Sequence, residues 1–237
     1  MARTGEFLTA EWRWLAMANY RVEPALLFPR VPPGLELDLF DGTALMSLVG
    51  FRFLRTRLLG LAVPFHRDFD EVNLRFYVRR RLEDGWRRGV VFVRELVPRR
   101  ALAAVARLAY GEPYSAVRMD HTVDAEGRSV EYRWRWSGQW CSLGLETAPA
   151  WTTPEAGSEM AFITEHYWGY SGGAARPTRE YEVQHPPWRV RTAATVRTTG
   201  NLAEIYGQDL GAALSGPPRS AFLAEGSAVT VHRPSRL

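Results

Sequence analysis

Short segments that alternate apolar with polar residues, rich in Val, Phe, Tyr and Trp and bounded by Gly, Pro or Asp, recur along most of this chain. They fall at residues 43–53, 69–80, 89–96, 116–123, 129–136 and 139–146, and again at 179–185, 188–198 and 221–232. A period of two with β-branched and aromatic residues predicts strands. Glu83-Asp84-Gly85 reads as the turn of a hairpin between 69–80 and 89–96, and Ser137-Gly138 as the turn between 129–136 and 139–146. So many strands leave edges to be hidden, and a sheet that curls or closes on itself is the economical way to hide them.

Helical signals are fewer. Residues 99–109 follow Pro98 and place Leu102, Val105, Ala106 and Ala109 on one side, the pattern of an amphipathic helix. Shorter helices are predicted at 23–28, ahead of Pro29, and at 158–165 with Ser158 as N-cap. The expected class is α+β, mostly antiparallel β, as a barrel or curled sheet with a few covering helices.

The segment DEVNLRFYVRR, residues 70–80, makes the functional question concrete. Val72, Leu74, Phe76 and Val78 share one face; Glu71, Asn73, Arg75, Tyr77 and Arg79 share the other. On an open sheet the polar row faces water. On a closed one it lines the interior, where polar groups need partners or a ligand.

At 237 residues and 46% hydrophobic content the chain suits one domain, 1–237, with an ordered core of about 10–232 and loosely attached tails at 1–9 and 233–237. No linker, repeat or low-complexity tract divides it. The N-terminus lacks a leader-like pattern, and no apolar run approaches the ~20 residues that cross a bilayer, so a cytoplasmic protein with no membrane partner is expected. The single cysteine, Cys141, sits beside Trp140 and Leu143 and reads as a packed thiol.

All 30 basic residues are arginine, and the chain contains no lysine. No side chain can therefore form a Schiff base with a carbonyl compound. Arg79–Arg81, Arg87, Arg88, Arg99 and Arg100 form a basic cluster, but Asp68, Asp70, Glu71, Glu83, Asp84 and Glu95 are interleaved with it. Paired surface charge is expected rather than nucleic-acid binding. The five histidines are scattered without ligand spacing, so no metal is expected. The lack of a phosphate-cradling glycine motif leaves no cofactor in view.

The segments AEWRWLAMANYRVEPALL (10–27), GLELDLFDGTALMSLVGFRF (34–53), PFHRDFDEVNLRFYVRR (64–80), RRGVVFVRELVPR (87–99), FITEHYWGY (162–170), EYEVQHPPW (180–188) and SAFLAEGSAVTV (220–231) together resemble the YqjF-like family of bacterial proteins. That family is similar in fold to acetoacetate decarboxylase. The resemblance implies an antiparallel barrel-like sheet around a pocket, and homo-oligomers like those of the similar decarboxylase. The decarboxylase forms an imine through a lysine that follows a proline; the similar place here is Tyr114, after Pro113. A chain without lysine is excluded from that chemistry.

The candidate site follows from the polar row and this resemblance. Arg75 suits bidentate capture of a carboxylate or phosphate, with a structural ion pair, for instance to Glu95, as the alternative. Glu71, Glu112 and Tyr114 are the candidate proton-transfer groups, and Asn73, Arg75, Tyr77, Glu165 and His166 the candidate ligand contacts. Glu165 beside His166 could set the imidazole's charge, although a histidine packed among aromatics is the simpler reading. The expected partner is a small, anionic molecule, which the chain either converts or binds unchanged.

Overall fold

The computed structural model describes residues 5–62, 64–173 and 176–237. In chain order its elements are β1 (Glu6–Arg21), α1 (Pro24–Leu27), β2 (Glu36–Leu37), β3 (Leu45–Leu58), β4 (Leu61–Ala62), β5 (Phe69–Leu82) and β6 (Gly85–Val97), then α2 (Arg100–Tyr110). There follow β7 (Tyr114–Ala116), β8 (Met119–Val123), β9 (Ser129–Trp136), β10 (Gln139–Thr147), α3 (Glu159–Thr164), β11 (Trp168–Gly173) and β12 (Arg176–Gln184). β13 (Val190–Thr199), α4 (Leu202–Tyr206), α5 (Gln208–Leu214), β14 (Ser220–His232) and β15 (Ser235–Arg236) complete the chain.

The long strands close into a ring. Hydrogen bonding runs β12-β11-β6-β5-β3-β1-β14, and β14 pairs back onto β12 through Val231 opposite Val183. The ring is antiparallel except where β11 runs parallel to β6, so it is a curled, irregular closure rather than an even barrel. β14 also pairs with β13, from which β10, β9 and β8 extend as a second sheet against the ring's flank. Among the described residues no helix is long and apolar enough to cross a membrane.

Closure decides which way the row of β5 points. Val72, Leu74, Phe76 and Val78 pack outside the ring with Tyr132 of β9, Leu143 and Leu145 of β10, and Leu210 of α5. The opposite face turns inward, where a second cluster of Leu15, Met17, Val49, Phe51, Val90, Phe162, Trp188 and Phe222 fills part of the ring. The strand is thus apolar on its outer face and polar on its inner one, the reverse of a half-solvated sheet.

Three bulges assist the curl. In β6, Leu74 opposes Arg94 but Arg75 opposes Phe92, so Val93 is an extra residue. β1 and β3 carry similar irregularities near Trp14 and Arg55, both with positive φ (55° and 53°). Each extra residue bends its strand and exchanges the faces beyond it.

The expected hairpins form: Leu82 pairs with Gly85, and Gln139 with Trp136 across Ser137-Gly138, whose φ values of 44° and 85° suit the tight turn. The Ser158 side chain caps α3 by accepting from Ala161 N at 3.2 Å. α2 spans Arg100–Tyr110 close to the predicted 99–109; of its proposed apolar face, the side chains of Leu102, Val105 and Ala106 lie outside the described residues. Cys141 is buried, as expected.

Other expectations are corrected. The 6–9 stretch is not a loose tail, since β1 begins at Glu6 and pairs with both β3 and β14. Ser235–Arg236 likewise pairs with β12. The arginine cluster does find acids, but long-range ones: Arg80 and Arg87 share Glu180 (3.0 and 2.9 Å), Arg88 holds Asp38 at 2.6 Å, and Arg79 holds Glu36.

Candidate functional site

A cavity of about 200 Å³ lies inside the ring, with a mostly apolar wall that includes Trp12, Leu15, Val49, Phe51, Phe53, Val90, Phe92 and Trp188. Glu71, Asn73 and Arg75 of β5 line it together, the consequence of strand alternation once that face is turned inward. β6 contributes Glu95, directly opposite Asn73. The segment between α2 and β7 brings Glu112 and Tyr114; β7 runs parallel to β6, with Tyr114 beside Glu95. Tyr110, Tyr181, His166 and His185 complete the polar lining discussed below.

Glu71, Glu95 and Glu112 are each at least 96% buried, with 3%, 1% and 4% exposure. Glu71 is the best supported: Oε1 accepts from Asn73 Nδ2 at 3.0 Å and Oε2 from the Tyr114 hydroxyl at 3.3 Å. Burial raises its carboxyl to about 7 even so, against the pull of those two bonds and of the Arg75 charge. Glu112 accepts a short hydrogen bond from the Tyr181 hydroxyl; burial, helped by the charge of Glu71, still lifts it to about 8. Glu95 is pushed well above the carboxylate range by burial and by the charges of Glu112 and Glu71. Three acids in one desolvated space cannot all ionise, so they divide into proton holders and one group poised near neutrality.

Gly169 makes the Tyr181 contact available. It pairs with Tyr181 across β11 and β12, and the tyrosine ring lies over it so closely that a Cβ there would sit 2.1 Å from the ring.

Arg75 is half-buried. Its Nη2 donates to Ile163 O at 3.3 Å, its guanidinium lies 5.8 Å from the Tyr77 ring centroid, and Nε has no partner. Among the described residues it forms no ion pair, and Glu95, the partner named for the alternative reading, stands across from Asn73 instead. A guanidinium on a cavity wall without an ion-pair partner has the donors to hold an anion.

Tyr77 is not on the cavity wall. It is 1% exposed, packs on Phe162 and His166, and shares a hydrogen bond with the Ser47 hydroxyl. Glu165 is also off the wall, at the C-cap of α3. His166 does line the cavity, but its carboxylate partner is Asp38, not Glu165: Nε2 lies 3.0 Å from Asp38 Oδ2 and Nδ1 2.6 Å from Phe162 O. Burial lowers the imidazole to about 4 despite Asp38, and the neutral ring has one N–H, which can go to only one of these two acceptors. Burial opposes ionisation of Asp38 too, but its bonds to His166 and Arg88 outweigh it and hold the carboxyl below its usual range. His185, stacked on Trp188 at 3.9 Å, is likewise lowered to about 4 by burial.

Among the described residues, no group of three or more His, Cys, Asp and Glu is placed to hold a metal ion.

The curled, closed ring around a cavity is an acetoacetate-decarboxylase-like fold. The structure superposes on acetoacetate decarboxylase from Legionella pneumophila with a TM-score of 0.71 at 11% identity, covering 98% of this chain and 87% of that one. It also superposes on the enduracididine biosynthesis enzyme MppR complexed with pyruvate, with a TM-score of 0.68, 14% identity and coverage of 100% and 91%. At these identities the likeness is one of fold. The chain belongs to the DUF2071 family, described as an uncharacterized conserved protein, which matches residues 9–228. It is 27% identical over 202 residues to the uncharacterized protein YqjF of Bacillus subtilis (strain 168), covering 83% of this chain and 80% of that protein.

Proposed function

We propose that the cavity is the active site of an enzyme that moves a proton on a small carboxylate or carbonyl compound without forming an imine. The observation that carries this reading is the pairing on one strand of an unpaired guanidinium, Arg75, with a buried carboxyl, Glu71, raised to about 7. Arg75 orients the substrate's anion by two parallel hydrogen bonds. Glu71 removes a proton from the carbon next to the carbonyl, since a base with its pKa near ambient pH is both available and strong enough. Glu112 and Tyr114 hold their protons at neutral pH and supply one to the oxygen that gains charge. A lyase or isomerase step can follow from that event, whereas in a hydrolase the same carboxylate would take its proton from the attacking water.

In D₂O, a panel of small 2-oxo, 3-oxo and hydroxy acids is expected to include one whose α-hydrogen exchanges for deuterium under the protein, followed by ¹H NMR. Glu71→Gln should abolish the exchange and Arg75→Met should raise the substrate concentration needed. Exchange that survives both substitutions would remove the proposed roles.

A second reading, a binder that returns its ligand unchanged, is favoured by the absence of any lysine from the chain while the cavity remains. It predicts ligands that raise the melting temperature and show neither exchange nor turnover.

A further inference from the structure

Two buried oxygens stand opposite each other on β5 and β6. Asn73 Oδ1 and Glu95 Oε2 have no hydrogen-bond partner among the described residues, although Asn73 and Glu95 are only 2% and 1% exposed. The two residues are direct cross-strand partners on the cavity face, which puts their Cβ atoms about 5 Å apart and their side-chain ends within reach of each other. A pair of orphaned acceptors closed off from water costs free energy. One proton removes both penalties: an un-ionised carboxyl has an O–H to give, and an amide oxygen can only accept.

The surroundings leave that proton on Glu95. The charged and titratable groups about the pair are Glu71 and Arg75 on β5, Glu112 and Tyr114 beside β6, and Tyr181 on β12. Burial and the charges of Glu112 and Glu71 disfavour a Glu95 carboxylate, and they outweigh the Tyr114 hydroxyl, which favours it. Giving the proton to the Tyr114 oxygen instead would leave Asn73 Oδ1 orphaned.

The consequence reaches Glu71 because an amide has two unlike ends. Asn73 Nδ2 donates to Glu71 Oε1 at 3.0 Å. Turned over, the amide would face Glu71 with its oxygen, and only a protonated Glu71 could bond to it. A donor at the Oδ1 end disfavours that orientation. We infer that Glu95 is a positioning residue for Glu71: its carboxylic acid donates to Asn73 Oδ1 and so holds the amide with Nδ2 on the Glu71 carboxylate. This rests on the base role proposed above for Glu71 and adds the group that keeps the base aligned and ready to ionise. Glu95 itself needs no contact with the substrate.

Titration of the Glu71 carboxyl by ¹³C NMR in wild type, Glu95→Gln and Glu95→Met tests this without a substrate, so the clamp and the enzyme can fail separately. Gln carries an N–H donor and no charge, so Glu95→Gln should leave the Glu71 midpoint where it is. An ionised Glu95 would instead have been raising that midpoint; a fall on its replacement by Gln overturns the inference. Met carries no donor, so Glu95→Met should raise the midpoint by about one pH unit. An unchanged midpoint in that variant also overturns the inference. Should Glu95→Met fail to fold, infrared difference spectra between wild type and Glu95→Gln at pH 7 decide: loss of a protonated carboxyl C=O band supports the clamp, and loss of a carboxylate band overturns it.

Discussion

The Tyr114 hydroxyl donates to Glu71 Oε2 at 3.3 Å, joining the residue after Pro113 to an acid on the neighbouring wall of the ring. That bond favours the ionised carboxylate, so it holds the Glu71 carboxyl lower than burial alone would. Tyr114→Phe should therefore move the Glu71 midpoint above about 7. Titration of the side-chain carboxyl by ¹³C NMR checks this; a midpoint that is unchanged or lowered would count against the contact.

The buried acids also fix the sign of the protein's pH dependence. Glu71, Glu95 and Glu112 all have folded-state pKa values above those of an unfolded chain. Between about 4.5 and 8 the folded state therefore holds more protons than the unfolded one, and stability falls as pH rises through that window. Thermal melts from pH 5 to 9 should show a falling melting temperature from this group of residues. Glu95→Gln should flatten the fall and stabilise the protein at pH 8 by about 1–3 kcal/mol.

Gly169→Ala should be costly for a β-strand substitution. Its Cβ would enter the Tyr181 ring, and overpacking of this kind costs about 1–3 kcal/mol. Because the displaced tyrosine is the donor to Glu112, cavity binding should weaken along with stability. Chemical denaturation and ligand titration on one preparation would show both effects, whereas full stability would mean that the ring tolerates a methyl there.

Asp38→Ala should destabilise without touching the cavity acids. It leaves His166 and Arg88 without their shared acceptor, and the exposed side of Arg88 discounts the loss to about 2 kcal/mol. Urea denaturation measures it; a change within a few tenths of a kcal/mol would reduce this triad to coincidental proximity.

Strand alternation made Glu71, Asn73 and Arg75 legible as a set, and the hairpin turns were legible from their glycines. Which way the set faced depended on ring closure, a long-range event for which local pattern holds no signal. Glu95 was hidden for a more specific reason. The extra Val93 puts Phe92 and Glu95, three residues apart, on the same wall, where simple alternation separates them. Tyr77 shows the opposite failure: it keeps the alternation but lies past the cavity, under Phe162 and His166. The missed Tyr181 is signalled only by its pairing with Gly169, which needs β11 and β12 in register. The N-terminal strand was missed because its tryptophan-rich pattern is interrupted at Trp14 by a bulge.

An anion site in this cavity requires the inward-facing guanidinium of Arg75 to be free to hold one. Thermal-shift titration of wild type and Arg75→Met with small monocarboxylates and 2-oxo acids tests it most directly. At least one acid should stabilise the wild type, with an apparent affinity at least tenfold weaker in Arg75→Met. Equal responses of the two proteins to every acid would contradict it.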